Sequence, residues 1–113
     1  MSLSLEARKQ LFSGLDEAAE YLHEKVKAKG QWDGVDKKDL RHKASRLMWI
    51  SSEVSEAFEA LRRGDEANFR EEVADVLILT LDLAAAYGLS PAAIVAEKDE
   101  KNDARPEKNG TLF

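Results

Sequence analysis

The sequence predicts an all-α protein, a four-helix antiparallel bundle, and three observations carry that expectation. Apolar residues recur at spacings of three and four along most of the chain. The recurrence stops at glycines, which end helices well, and it restarts after residues that cap them. No segment shows the period-two alternation of a half-buried strand, and neither an internal repeat nor a low-complexity tract is present.

The first helix is expected from about residue 5 to 29, with Leu11, Leu15, Ala18, Ala19, Leu22 and Val26 on one stripe and Gly30 as its stop. The stretch from Gly30 to Val35 holds two glycines and no helical period, which makes it a connector. Asp36 then offers an N-cap to a second helix, from about 37 to 63, in which Leu40, Leu47, Ile50, Val54, Phe58 and Leu61 keep a near-heptad stripe. The break at Gly64-Asp65 is short, so the third helix, from about 66 to 87, must return antiparallel. That helix is the most apolar, with Phe69, Val73, Val76, Leu77, Thr80, Leu83 and Ala84 on one side, and is expected to be central. After Gly88, Ser90 as N-cap and Pro91 at the first helical position start a fourth helix that reaches about residue 104. The tail from Glu107 to Phe113 is expected to be irregular or docked on a partner.

A chain of 113 residues is one domain's worth, and so small a domain gains from packing against a second copy. With 43% hydrophobic and 35% charged residues it has the balance of a soluble helical protein and not of a disordered one. The net charge of -5 argues against a nucleic-acid polymer or an anionic membrane as partner; an anionic ligand would need a cation to mediate. The lack of cysteine excludes disulfides, thiolate catalysis and Cys-ligated metal centres. Apolar runs such as Val76 to Leu79 and Leu83 to Tyr87 are too short to span a bilayer. The start, Met1-Ser2-Leu3-Ser4, lacks the basic and apolar regions of a secretory signal, so a cytoplasmic location is expected.

The chemistry points to carboxylates. Glu53-Val54-Ser55-Glu56 on the second helix and Glu72-Val73-Ala74-Asp75 on the third each place two acids at i and i+3, on one helical face. The pairs are also symmetric about Gly64. In a helical hairpin this sets Glu53 level with Asp75 and Glu56 level with Glu72. Four facing carboxylates repel one another unless a cation neutralises them, and an all-oxygen set suits magnesium, or manganese, over a softer metal. Acids at this spacing also arise by chance on solvated faces. Glu59, whose counterpart across the turn is Phe69, and Glu71, rotated about 100° from Glu72, are assigned to such faces. The only histidines, His23 and His42, complete no HExxH-like pattern. Asp82, inside the apolar run Leu79 to Leu83, is expected to be structural and to need a basic or hydrogen-bonding partner.

On the last helix Lys98 with Asn102, and Lys101 with Arg105, stand at i,i+4 and can present donors along one face, as a polyphosphate requires. Taken together, the two acid pairs separated by fifteen residues and the downstream run from Glu97-Lys98 to Arg105-Pro106 resemble the ExxE, spacer, ExxD pattern of the MazG-like all-α nucleoside triphosphate pyrophosphohydrolases, over roughly residues 40 to 110.

The resemblance implies a helical bundle that forms a homodimer or a dimer of dimers. It implies magnesium-dependent hydrolysis of a nucleoside or deoxynucleoside triphosphate to the monophosphate and pyrophosphate, a nucleotide-pool sanitation activity. It implies Glu53, Glu56, Glu72 and Asp75 as metal ligands, Glu53 or Glu56 as catalytic base, and Lys98, Asn102, Arg105 and Lys101 as phosphate contacts. Two positions depart from the pattern: Ser52, where many relatives carry a further acid, and Arg105, where many carry an aromatic residue. Trp49, Trp32, His42 and Met48 could meet a nucleobase or belong to the core or an interface; Trp49 is the base-binding candidate. Deoxyuridine nucleotide hydrolases and phosphoribosyl-ATP pyrophosphohydrolases are related alternatives. The reading from another class is a helical protein-interaction module with a structural cation site.

Overall fold

Ser4, Asp39, Asp65 and Ser90 each accept a hydrogen bond from a backbone N–H two or three residues ahead, at Ala7, Arg41, Asn68 and Ala93, and so fix where four helices begin. The computed structural model describes residues 2–105 and holds, among them, five helices and no strand: α1 (Leu5–Leu11), α2 (Gly14–Ala28), α3 (Leu40–Arg62), α4 (Glu66–Ala86) and α5 (Pro91–Asp103). The tail from Glu107 to Phe113 lies outside the described residues.

The all-helical expectation holds, but the number of helices is five and not four. The single first helix divides at Phe12–Ser13. Ser13 Oγ donates to the Gln10 carbonyl, the Leu15 N–H reaches back only three residues to Phe12, and Gly14 adds no helix preference to hold the turn. The second helix starts three residues later than expected, because Asp36 accepts from the Lys38 N–H and closes a turn, which leaves Asp39 as the cap.

α4 lies between α3 and α2, while α5 leaves it at 106° and packs on α1 and α2. The bend separates this arrangement from a closed four-helix bundle, since α3 packs chiefly on α4. That seam is built from small residues: Ala57 and Ala60 are buried, whereas Leu40, Leu47, Val54, Phe58 and Leu61 are each more than half exposed. Most of the near-heptad stripe expected to form core is therefore left exposed, although Leu61 lines a small groove with Phe69 of α4. Alanines allow the two backbones to approach, and the large side chains are left for another surface.

Three polar tethers hold the remaining pieces. The buried Arg8 guanidinium donates to Asp99, to Asp103 and to the Leu3 carbonyl, tying α1 to α5. Asp16 of α2 accepts from Ser90 Oγ and from the Ala92 N–H at the start of α5. Asp82, only 2% exposed, accepts from Trp32 Nε1 through both oxygens at 3.1 Å and lies 2.7 Å from His23 Nδ1. This is the partnered structural acid expected from the sequence, and it pins the α2–α3 connector onto α4. Among the described residues no single helix is long and apolar enough to cross a membrane.

Candidate metal centre

The hairpin between α3 and α4 sets the register of the acids. Gly64, at φ 70, takes the left-handed conformation that lets its N–H reach the Leu61 carbonyl and the Asp65 N–H reach the Ala60 carbonyl, closing α3 in two bonds. Asp65 then caps α4 immediately, so only Arg63, Gly64 and Asp65 separate the two antiparallel helices.

With that register Glu72 meets Glu53 and Glu56 together: one oxygen from each of the three lies within 4.8 Å of the others. Glu53 and Glu72 are half-buried and Glu56 is exposed, so the cluster opens to solvent on one side. Asp75 sits three residues along α4 from Glu72, exposed and outside this trio. Glu53 also accepts a hydrogen bond from Trp49 Nε1 at 3.3 Å.

The electrostatics of the cluster is that of three acids with too little positive charge. Hydrogen bonding to Glu53, burial, and the neighbouring Glu56 raise Glu72 from an ordinary 4.5 to about 7, while the bond from Glu72 holds Glu53 below its usual range. Below about pH 7 a proton is therefore favoured on Glu72, while Glu53 keeps its charge. Glu72 Oε2 is buried without a hydrogen-bond partner, an arrangement that costs free energy unless something occupies it. An all-carboxylate donor set, an orphaned oxygen and a proton standing in for missing charge together fit a hard cation.

Beside the trio runs a groove of about 340 Å³ lined by Ser52, Ser55, Glu56, Glu59, Arg63, Asn68 and Glu72. The sequence reading missed Arg63 and Asn68 as site residues. Their signal was available, since Arg63 follows Glu56 by seven residues and Asn68 precedes Glu72 by four, both same-face spacings. Glu59 lines the same groove and pairs with Arg62 at 3.3 Å.

The expected phosphate contacts lie elsewhere in the chain. Lys98 and Asn102 line a separate groove of about 400 Å³ on α5, with Ile94, Val95 and Asp99. Lys101 and Arg105 are exposed at the end of that helix. The structure therefore brings together Glu53, Glu56, Glu72 and Trp49, and leaves the α5 donors on another face.

Neither the comparison with curated proteins nor that with solved structures gives a significant match. The model of the MazG-like family matches residues 48–111, a span that takes in both acid pairs, the hairpin and the α5 donors. With more than half of its length matched, and with the acids of that span gathered at one hairpin, the chain belongs to the MazG-like family.

Proposed function

We propose that this chain is a single-domain pyrophosphohydrolase that cleaves a nucleoside or deoxynucleoside triphosphate to the monophosphate and pyrophosphate with the help of magnesium, for which manganese can substitute. The observation that carries the reading is the Glu53–Glu56–Glu72 trio, with its orphaned Glu72 oxygen, beside a polar groove at the hairpin of a MazG-like chain.

Glu53, Glu56 and Glu72 would hold the cation, with Asp75 available as a fourth ligand further along α4. When bound, magnesium supplies the positive charge that a triphosphate needs beside carboxylates. Arg63 and Asn68 face the same groove and donate to phosphate oxygens, which orients the chain of phosphates along α3 and α4. Glu53, kept ionised by the bonds from Glu72 and Trp49, is the better placed of the two candidate bases to take the proton of a water attacking the α-phosphorus; Glu56 is the other. Lys98, Asn102, Lys101 and Arg105 do not share that groove within the protomer. Assembly with a second copy is the arrangement in which they could act on a phosphate there.

The test is to incubate the protein with a panel of ribo- and deoxynucleoside triphosphates and magnesium, and to assay pyrophosphate and monophosphate. Metal-dependent release that Glu53→Gln loses by about 100-fold or more supports the reading and names the substrate. Magnesium binding without turnover of any nucleotide would instead favour a helical interaction module with a structural cation.

A further inference from the structure

Trp49, an aromatic residue hydrogen-bonded to the carboxylate trio, is itself held by other side chains. Its indole N–H donates to Glu53 Oε1 at 3.3 Å, one turn further along α3. The Arg46 guanidinium lies 3.9 Å from the Trp32 ring centre and 5.6 Å from that of Trp49, so it is near both indoles. Arg46 also donates to the Gln31 carbonyl in the α2–α3 connector. Trp32 is buried, and it is held through both oxygens of Asp82, which His23 holds in turn. A continuous set of contacts therefore runs from the most buried polar group of α4 to one oxygen of Glu53.

A carboxylate on a helix face has free χ angles and two equivalent oxygens. A donor fixed to one of them decides which oxygen is left for a cation and spares the cation the cost of ordering the side chain. The same bond engages the only polar atom of the indole, so the polar edge of Trp49 is directed at Glu53 and not at a base. We infer that Trp49 is a positioning residue of the metal centre, which presets Glu53 for a divalent cation and is itself set by Arg46 and Trp32. This rests on the proposed metal site but not on any nucleotide.

The test is titration of the full chain with manganese or magnesium alone, by calorimetry and by tryptophan emission, for wild type, Trp49→Phe and Arg46→Gln. Trp49→Phe keeps an aromatic ring against Arg46 and removes only the donor, so its melting temperature in chelator stays near wild type. Its metal affinity falls 10- to 100-fold. Arg46→Gln lowers affinity in the same direction by less. The wild type changes emission on metal binding, whereas Trp49→Phe, which retains Trp32, does not. Wild-type affinity in Trp49→Phe, with a raised KM for nucleotide as the only defect, would overturn the inference while leaving the pyrophosphohydrolase reading intact. No metal binding by the wild type would overturn both, and metal binding without hydrolysis would overturn the reading alone.

Discussion

At the scale of single residues the cluster behaves as one acid–carboxylate unit, and its proton predicts how the protein responds to pH. Glu72 titrates near 7 in the folded protein and near 4.5 when unfolded, so between those values the folded state binds the extra proton. Stability from that proton is full below about pH 4.5 and is lost as pH rises through 7. The lowered Glu53 acts in the opposite sense, but only below the ordinary carboxylate range, and leaves the neutral window to Glu72. In chelator the melting temperature should therefore fall between pH 5 and pH 8, and saturating magnesium should flatten the profile. Glu72→Gln, whose amide can still donate to Glu53, should be flat without metal; a profile as steep as wild type would refute the assignment. Metal binding must expel the same proton, so affinity should rise with pH up to about 7. That acids of α3 and α4 would approach one another was legible from i,i+3 pairs placed symmetrically about a glycine turn. That Glu72 meets both Glu53 and Glu56, and that Asp75 stands apart, was not, since equal heights along two axes do not fix how far each helix is rotated.

At the scale of elements, the hairpin turn that sets this register is also where stability is most local. A Cβ on Gly64 would meet nothing within 4 Å, so Gly64→Ala adds no clash and costs only the left-handed backbone, about 1 kcal/mol. For a chain of this length that lowers the melting temperature by roughly 4 °C. Asp65→Ala, which removes the cap to the Asn68 N–H, should cost about the same. A loss several times larger from Gly64→Ala would mean that the turn is held by contacts beyond its backbone bonds. Asp82→Ala is a different case, because it strands the Trp32 N–H and the His23 ring in a buried site. About 3 kcal/mol and release of the α2–α3 connector are expected, read by thermal unfolding and proteolysis. Helix ends were readable because caps and glycines are local chemistry, and α3, α4 and α5 end within a residue or two of expectation. The break at Ser13-Gly14 was equally local but was outweighed by the continuous stripe from Leu11 to Val26. The 106° departure of α5 is accompanied by bonds from Asp16 and Arg8 that reach across 76 and 95 residues of sequence, and no periodicity encodes that.

At the scale of the whole molecule, the fully buried hydrophobic side chains among the described residues are alanines apart from Trp32, while a row of large side chains on α3 is more than half exposed. Leu40, Leu47, Val54 and Leu61 stand seven residues apart on α3, with Phe58 beside them and Leu77 exposed on α4. A heptad row drifts by only about 20° per repeat, so these residues form one face about six turns long. Leaving such a face in water forfeits the burial that stabilises a small domain. A second copy of the chain can cover it with the same row turned about a two-fold axis, and Arg41 and Lys43 beside it face solvent and need no burial. The wild type should therefore sediment as a dimer or a dimer of dimers, with a melting temperature that rises with concentration. Leu40→Glu with Leu47→Glu places like charges in the seam, remote from the acids, and should yield monomers. Because Glu53, Glu56 and Glu72 all belong to one hairpin, those monomers should still bind manganese with near wild-type affinity. Turnover should fall by more than 10-fold if the α5 donors act only from an assembled partner. Full activity in a variant shown to be monomeric would place the whole site within one chain, and a wild type that stays monomeric at 100 times the assay concentration would remove the dimer altogether.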